Sequence, residues 1–357
     1  MKTTSEPLKA PWHTPATPAP RRTRRARNSK LSLGWALGMS AVLALAVVSL
    51  GVGSRTIALD AIWAALTGHG SAADTAVVWQ LRMPRTLLGC VVGAALGVAG
   101  VLMQSLTRNP LAEPGLAGVN AGASFAVVLA ISLFGVTDTS GYVWFAFAGA
   151  VLAALAVHGL TRRGMAAGQH TRLVLAGAAA SATLGAITGI LTMSDATTFD
   201  SYRFWVVGAL ENRGEPALLA AAPFVAVGIA LALPLGPALN ALALGEEQGS
   251  ALGLRTGAVR AVGMISVMLL CGAATAAAGP IAFVGLVVPH LLRMLLGPDV
   301  RWLLAYAIPA GAVLVLTSDI VGRVIAPPGE IEAGIVTAFV GAPVLMWLVN
   351  RGRAVGA

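Results

Sequence analysis

Residues Gln80 to Ala123 read QLRMPRTLLGCVVGAALGVAGVLMQSLTRNPLAEPGLAGVNAGA. From Thr86 to Thr107 no charged residue interrupts the run, and its apolar residues show no period-2 alternation. The length matches the roughly 20 residues a helix needs to cross hydrocarbon, about twice the alternating segment of a membrane barrel strand. Arg82 and Arg85 flank it on one side and Arg108 on the other. Asn109, Pro110, Pro114 and Gly115 follow, and proline cannot continue a helix because it lacks the backbone donor. The stretch reads as one Gly-rich transmembrane helix ending in a sharp break.

The rest of the chain repeats the pattern. Its 357 residues are 57% hydrophobic and 11% charged, more apolar than a single soluble domain can bury. Gly is abundant at 42 residues and aromatics are few at 6%, which suits helices packed closely through small side chains. Ten spans are expected, at 33–53, 86–106, 115–134, 142–160, 172–193, 216–236, 261–279, 281–296, 302–320 and 331–349. The expected fold class is an all-α integral membrane protein, with one polytopic domain over residues 31–353. Residues 1–30 are rich in Pro, Thr, Ala and Arg and are expected to form a disordered basic tail. Arg21, Arg22, Arg24, Arg25 and Arg27 abut the first span. They read either as a contact for anionic membrane lipid or as a plain orientation signal.

An even number of spans puts both termini on one face. With that face cytoplasmic, all but six of the 24 Lys and Arg residues lie inside; Arg55, Arg82, Arg85, Arg203, Arg213 and Arg323 fall outside. A second Pro/Gly break, at Gly279, Pro280 and Gly285, follows span seven as the first follows span two. Five spans separate them, and an odd offset reverses orientation. Spans two to five and seven to ten therefore read as inverted repeats, or the prolines and glycines simply punctuate helix ends.

Several chemistries are excluded. Every lysine lies in the tail, at Lys2, Lys9 and Lys30, so no GxxxxGK[ST] phosphate loop exists in the membrane body and the chain holds no ATPase site of its own. Cys90 and Cys271 sit singly in apolar runs, and His13, His69, His158, His170 and His290 form no i, i+4 pair. No metal site or cofactor is expected. No catalytic constellation shares a membrane depth. Asp195, Asp200, Glu211, Glu246, Asp299, Asp319 and Glu330 are placed at span ends or in loops, whereas a proton-coupled carrier keeps acidic relays near the midplane. A stand-alone secondary carrier or channel is thus the weaker reading from another class.

Four stretches together resemble the FecCD-type permease family, which imports iron siderophores, haem and cobalamin with an ATP-binding-cassette motor. They are Gln80–Ala123, with its RxPR and NPLAEPG motifs; LNALALGEEQGSALGL, Leu239–Leu254; GPIAFVGLVVPHLLRML, Gly279–Leu295; and DIVGRVIAPPGEIEAGIVTAFVGAPVLMWLV, Asp319–Val349. The resemblance implies a type II importer permease with ten helices, a second permease subunit (the same or a related chain), two separate ATPases and an extracytoplasmic siderophore-binding protein. Membrane lipid is the remaining partner, and no nucleic acid is expected. It further implies that Arg82, Arg85 and Arg323, which the topology above places outside and facing water at span ends, dock the binding protein; incidental surface charge is the alternative. Gly245, Glu246, Leu252 and Gly253 match a coupling-helix motif, within a connection of about 239–258, that fits a groove on the ATPase; an ordinary charged loop is the alternative. Asn109 and Leu111, with His170 and Thr171, match positions that narrow the cytoplasmic exit, while Asn109 also reads as a helix end held by Pro110. Gly249 stands where Ala is usual, and Glu332 where many relatives have Pro. GRVIAPPGE resembles the catecholate (enterobactin) branch, with a cobalamin or haem permease as the alternative. The implied location is the bacterial cytoplasmic membrane.

Overall fold

The computed structural model describes residues 21–53, 56–136, 138–161, 169–251, 253–327 and 329–355, and every regular element among them is helical. The first span, α1 (Arg21–Gly51), begins twelve residues before the expected span 33–53, so Arg21 to Lys30 are helical and not part of an unstructured tail. Arg, Ala, Leu and Lys are good helix formers, and a helix already nucleated by its apolar part propagates outward at little cost per residue. Residues 1–20 lie outside the described residues.

Two elements then precede the Gly-rich run. Helix α2 (Leu59–Leu66) is short, and α3 (Ala72–Ala76) leads through a π-helical turn, Val77–Arg82, into α4 (Met83–Thr107). The remaining helices are α5 (Val119–Phe134), α6 (Thr139–Thr161), α7 (Gln169–Ser194), α8 (Ala196–Val206) and α9 (Gly214–Ala232). They are followed by α10 (Gly236–Ala243), α11 (Glu246–Ala251), α12 (Thr256–Ala278), α13 (Val284–Leu296), α14 (Val300–Ile325) and α15 (Ala333–Val355). Among the described residues, seven stretches are long and apolar enough to cross a membrane, and three shorter apolar ones, in α5, α13 and α15, complete the expected ten.

Helix α4 is the hub. Leu88, Val92, Ala95, Val98, Ala99, Val101 and Leu102 are buried along its length. Lipid tails are as apolar as these side chains, so the helices cohere by close packing. Gly93 and Gly311 make this concrete: a Cβ on either would lie within about 2.3 Å of the other's carbonyl oxygen, so α4 and α14 touch backbone to backbone.

The pairings also carry the inverted repeat. α4 packs on α14 as α12 packs on α6; α5 on α6 as α13 on α14; α5 on α7 as α13 on α15. The two breaks are equivalent in detail: α5 starts after left-handed Gly118 (φ 82) and α13 after left-handed Phe283 (φ 68). They also meet, since Glu113 Oε1 accepts the Phe283 N–H at 2.7 Å and a Cβ on Gly285 would lie 2.8 Å from Pro114 Cδ. These loops leave opposite faces of the bundle, so they touch only by dipping into it. That is why the expected spans 115–134 and 281–296 shrink to 16 and 13 residues, about 24 and 20 Å at 1.5 Å per residue. Non-helical backbone at such depth is tolerated because protein surrounds it.

Candidate functional site

The face on which α4 begins carries a compact charged cluster. Arg85 donates to both oxygens of Asp319, through Nε at 3.0 and 3.2 Å and Nη2 at 2.7 Å, while its Nη1 reaches Glu330 Oε2 at 2.7 Å. Arg323, one helical turn beyond Asp319, pairs with the same carboxylate and also donates to Ser49 Oγ at 2.6 Å and to the carbonyls of Ser49 and Val52 at 2.9 and 2.8 Å. Arg82 Nη1 donates to the Leu50 carbonyl at 2.5 Å. The cluster thereby binds α4, α14, the end of α1 and the segment before α15 together.

Asp319 is 1% exposed, Arg323 4% and Arg82 7%. For Arg82 and Arg323 this overturns the expectation that they face water at span ends, while Arg85 is half-buried with its guanidinium turned onto Asp319 and Glu330. The burial also corrects the placement of Asp319, because α14 runs on to Ile325 and leaves that carboxylate inside the helix. Buried charges persist where they are paired and hydrogen-bonded, and Arg85 offers Asp319 the planar fork that suits a carboxylate. A cavity of about 460 Å³ opens against this cluster, lined by Arg82, Arg85, Arg323, Glu211, Asn212 and Glu330 among others. Nearby Glu332, between α14 and α15, has its carboxyl pKa raised by burial and by the Glu211 and Glu330 carboxylates, partly opposed by Arg85 and Arg213.

At the opposite face α9 passes through a 3₁₀ turn into α10, which carries the chain to α11. Asn240 Nδ2 donates to Asp299 Oδ1 at 2.7 Å, and its Oδ1 accepts the Val300 N–H at 2.9 Å, so α10 is clamped to the start of α14. The Asp299 carboxyl lies below its ordinary pKa because Arg301 and Asn240 donate to it. Helix α11 has six residues and ends in a Schellman motif: the Leu254 N–H reaches the Gly249 carbonyl at 3.1 Å and the Gly253 N–H reaches Ser250 at 2.9 Å. Gly245 (φ 131) and Gly253 (φ 80) take backbone conformations that favour glycine, so these two positions of the motif punctuate a short helix. Leu252 lies outside the described residues, as do the side chains of Glu246, His170 and Thr171; the last two occupy the first turn of α7. Asn109 Oδ1 accepts the Leu111 N–H at 3.0 Å, a side-chain-capped turn, and Leu111 is exposed.

The model of the FecCD transport family matches residues 41–351. The chain belongs to this family. It is 43% identical over 334 residues to the ferric enterobactin transport system permease protein FepD of Escherichia coli strain K12, covering 92% of this chain and 100% of that one. The hemin transport system permease protein HmuU of Yersinia pestis is 36% identical over 329 residues, 91% of this chain and 96% of its own. Among solved structures, one described as a metal-chelate type ABC transporter in an inward-facing conformation superposes with a TM-score of 0.78 at 29% identity, covering 90% of this chain and 99% of that one. The chain is therefore a multi-pass permease subunit of an ATP-binding-cassette importer, a membrane component and not an enzyme.

Within this family frame, the structure brings Arg82, Arg85 and Arg323 together at one face, and Gly245, Gly253, Asn109 and Leu111 at the other. Sequence reasoning missed Ser49 and Thr86, whose hydroxyls meet at 2.8 Å beneath the cluster, and Arg108, which donates to the Leu242 carbonyl. It also missed the partnership of Asp319 with the arginines, although the Asp319–Arg323 spacing of four residues is a helix-face signal.

Proposed function

We propose that this subunit translocates a ferric siderophore, of catecholate type, across the bacterial cytoplasmic membrane with both termini inside. The observation carrying this reading is the 43% identity to FepD along that protein's whole length; GRVIAPPGE with Glu332 supports the same branch. Haem is the competing cargo, supported by the lower identity to HmuU. The importer reading implies two ATPases, an external binding protein and a second permease subunit. The exposed face of α7, where Gly185 and Gly189 open onto free space, supports a surface available to that second subunit. In this reading Gly245, Glu246, Leu252 and Gly253 engage the ATPase, and Asn109, Leu111, His170 and Thr171 narrow the exit.

Docking of the binding protein by Arg82, Arg85 and Arg323 takes a revised form in this proposal. Their positive charge is expressed through the cavity they line, and an acidic side chain of the binding protein is received at its mouth. Isolated exposed arginines are no longer required. Cells lacking the subunit are expected to lose uptake of radiolabelled ferric catecholate while retaining cobalamin uptake. Loss of haem or cobalamin transport with unimpaired ferric-catecholate uptake would overturn the cargo assignment.

A further inference from the structure

The coupling segment and the exit turn are joined by one side chain. Arg108 closes α4 in the left-handed conformation (φ 49), one residue before Asn109. From there its Nη2 donates to the Leu242 carbonyl at 2.5 Å. Leu242 belongs to the last turn of α10, and the same carbonyl accepts the Gly245 N–H at 3.1 Å, so one oxygen is shared by Arg108 and by the first residue of the coupling motif. Gly245 in turn accepts the Gly249 N–H at 3.0 Å inside α11. An unbroken chain of hydrogen bonds therefore runs from the coupling helix through Leu242 to the residue beside the exit turn.

The electrostatics favour a cation at this point. The C-termini of α4 and α10 converge here, and each presents unsatisfied carbonyls with the negative end of a helix dipole. The two ends of α10 are held differently. Its start is jammed against α14, where a Cβ on Gly236 would lie 2.9 Å from Arg301 Cα, and the Asn240 clamp reinforces that contact. Toward α4 the described hydrogen bond of its last turn is that from Arg108. A push on α11 therefore pivots α10 about its α14 anchor and reaches the exit turn through Arg108.

We infer that Arg108 is a positioning residue for transport, the strut that conveys ATPase-driven movement of the coupling segment to the exit turn at Asn109. The inference rests on the ATP-driven importer reading. Left-handed backbone at Arg108 also supplies the decisive control, since glycine adopts it without strain. Arg108→Gly removes the guanidinium while relaxing the backbone, Arg108→Ala removes it while retaining the strain, and Arg108→Lys keeps a charged donor.

The experiment uses the assembled complex of permease, ATPase and binding protein in proteoliposomes, loaded with the ferric siderophore its cells take up. The readout is cargo translocated per ATP hydrolysed. Arg108→Gly and Arg108→Ala are both expected to hydrolyse ATP near the parental rate while the transport ratio falls about fivefold or more, the ordinary size of a coupling between sites. Arg108→Lys is expected to recover a substantial part of that ratio. An unchanged ratio in the Gly and Ala variants overturns the inference, and so does a parallel loss of ATPase activity and assembly, which marks a purely structural residue. Failure of the parental complex to couple uptake to ATP would instead sink the importer reading, and the two failures are distinguishable.

Discussion

The two faces of this permease are built on opposite principles. On the face where α4 begins, Arg85, Asp319, Arg323 and Glu330 form a multiply bonded cluster, buried at Asp319 and Arg323, that fastens α1, α4, α14 and the approach to α15. On the opposite face α10 is anchored to α14 by Asn240 and joined to α4 by Arg108, while α11 beyond it is a six-residue helix between two glycines. A rigid brace at one end and a short glycine-flanked helix, α11, at the other suit a device in which motion enters where the chain is easiest to displace. Local opening costs least where burial and bonding are sparse, and elements that move are drawn from that end of the range.

The sharpest way to break this contrast is to remove the brace. Asp319→Asn leaves the Arg85 and Arg323 guanidinia buried beside each other without their shared carboxylate. Breaking a buried ion pair in this way costs about 3 kcal/mol or more. The purified variant is expected to show a strongly lowered Tm in detergent and little protein in the membrane. A Tm equal to the parent's would mean that the Asp319 cluster braces nothing.

A smaller effect sharpens the other side. A Cβ built on Gly249 meets Thr256 Cγ2 at 3.6 Å and nothing nearer, so alanine fits. Gly249→Ala should favour helical α11 by roughly 1 kcal/mol, the difference between the two residues in a helix interior. Hydrogen exchange of residues 246–251 is expected to slow by about fivefold, the factor that free energy corresponds to. Unchanged exchange would show that α11 is already held by contacts beyond its own backbone.

How much of this was legible in the sequence follows from what each signal depends on. Ten apolar runs were readable because hydrocarbon demands length and apolarity over a contiguous window, a local property. The inverted repeat left only its two breaks in the sequence, since the contact of Glu113 with Phe283 joins residues 170 positions apart. Charge bias grouped Arg82, Arg85 and Arg323 on one face, but the burial of Arg82 and Arg323 was not readable, because it depends on α14 continuing past residue 320 and on Ser49 lying beneath Arg323. Helix α3 did carry a local signal: Ser71 caps it, its Oγ accepting the Asp74 N–H at 3.1 Å. Arg108 had none, because its partner is a backbone carbonyl, which no side-chain pattern announces.

The mildest test concerns Glu332, at the edge of the Asp319 cluster. Burial and the Glu211 and Glu330 carboxylates raise its pKa, so ionising Glu332 is harder in the folded protein than in the unfolded chain. The sign follows from linkage. Below the unfolded carboxyl pKa the group is protonated in both states and exacts no penalty; as pH rises through its folded pKa, the stability tied to the neutral form is lost. Arg85 and Arg213 soften the penalty, so it is small. Glu332→Gln keeps the shape, cannot ionise, and is expected to raise Tm by about a degree at neutral pH. The gain should shrink to nothing as pH falls toward the ordinary carboxyl range near 4. A thermal shift series across that interval decides it. A lower Tm for the variant at neutral pH would mean that Arg85 and Arg213 outweigh burial, and that Glu332 belongs to the brace as an ion-pair partner.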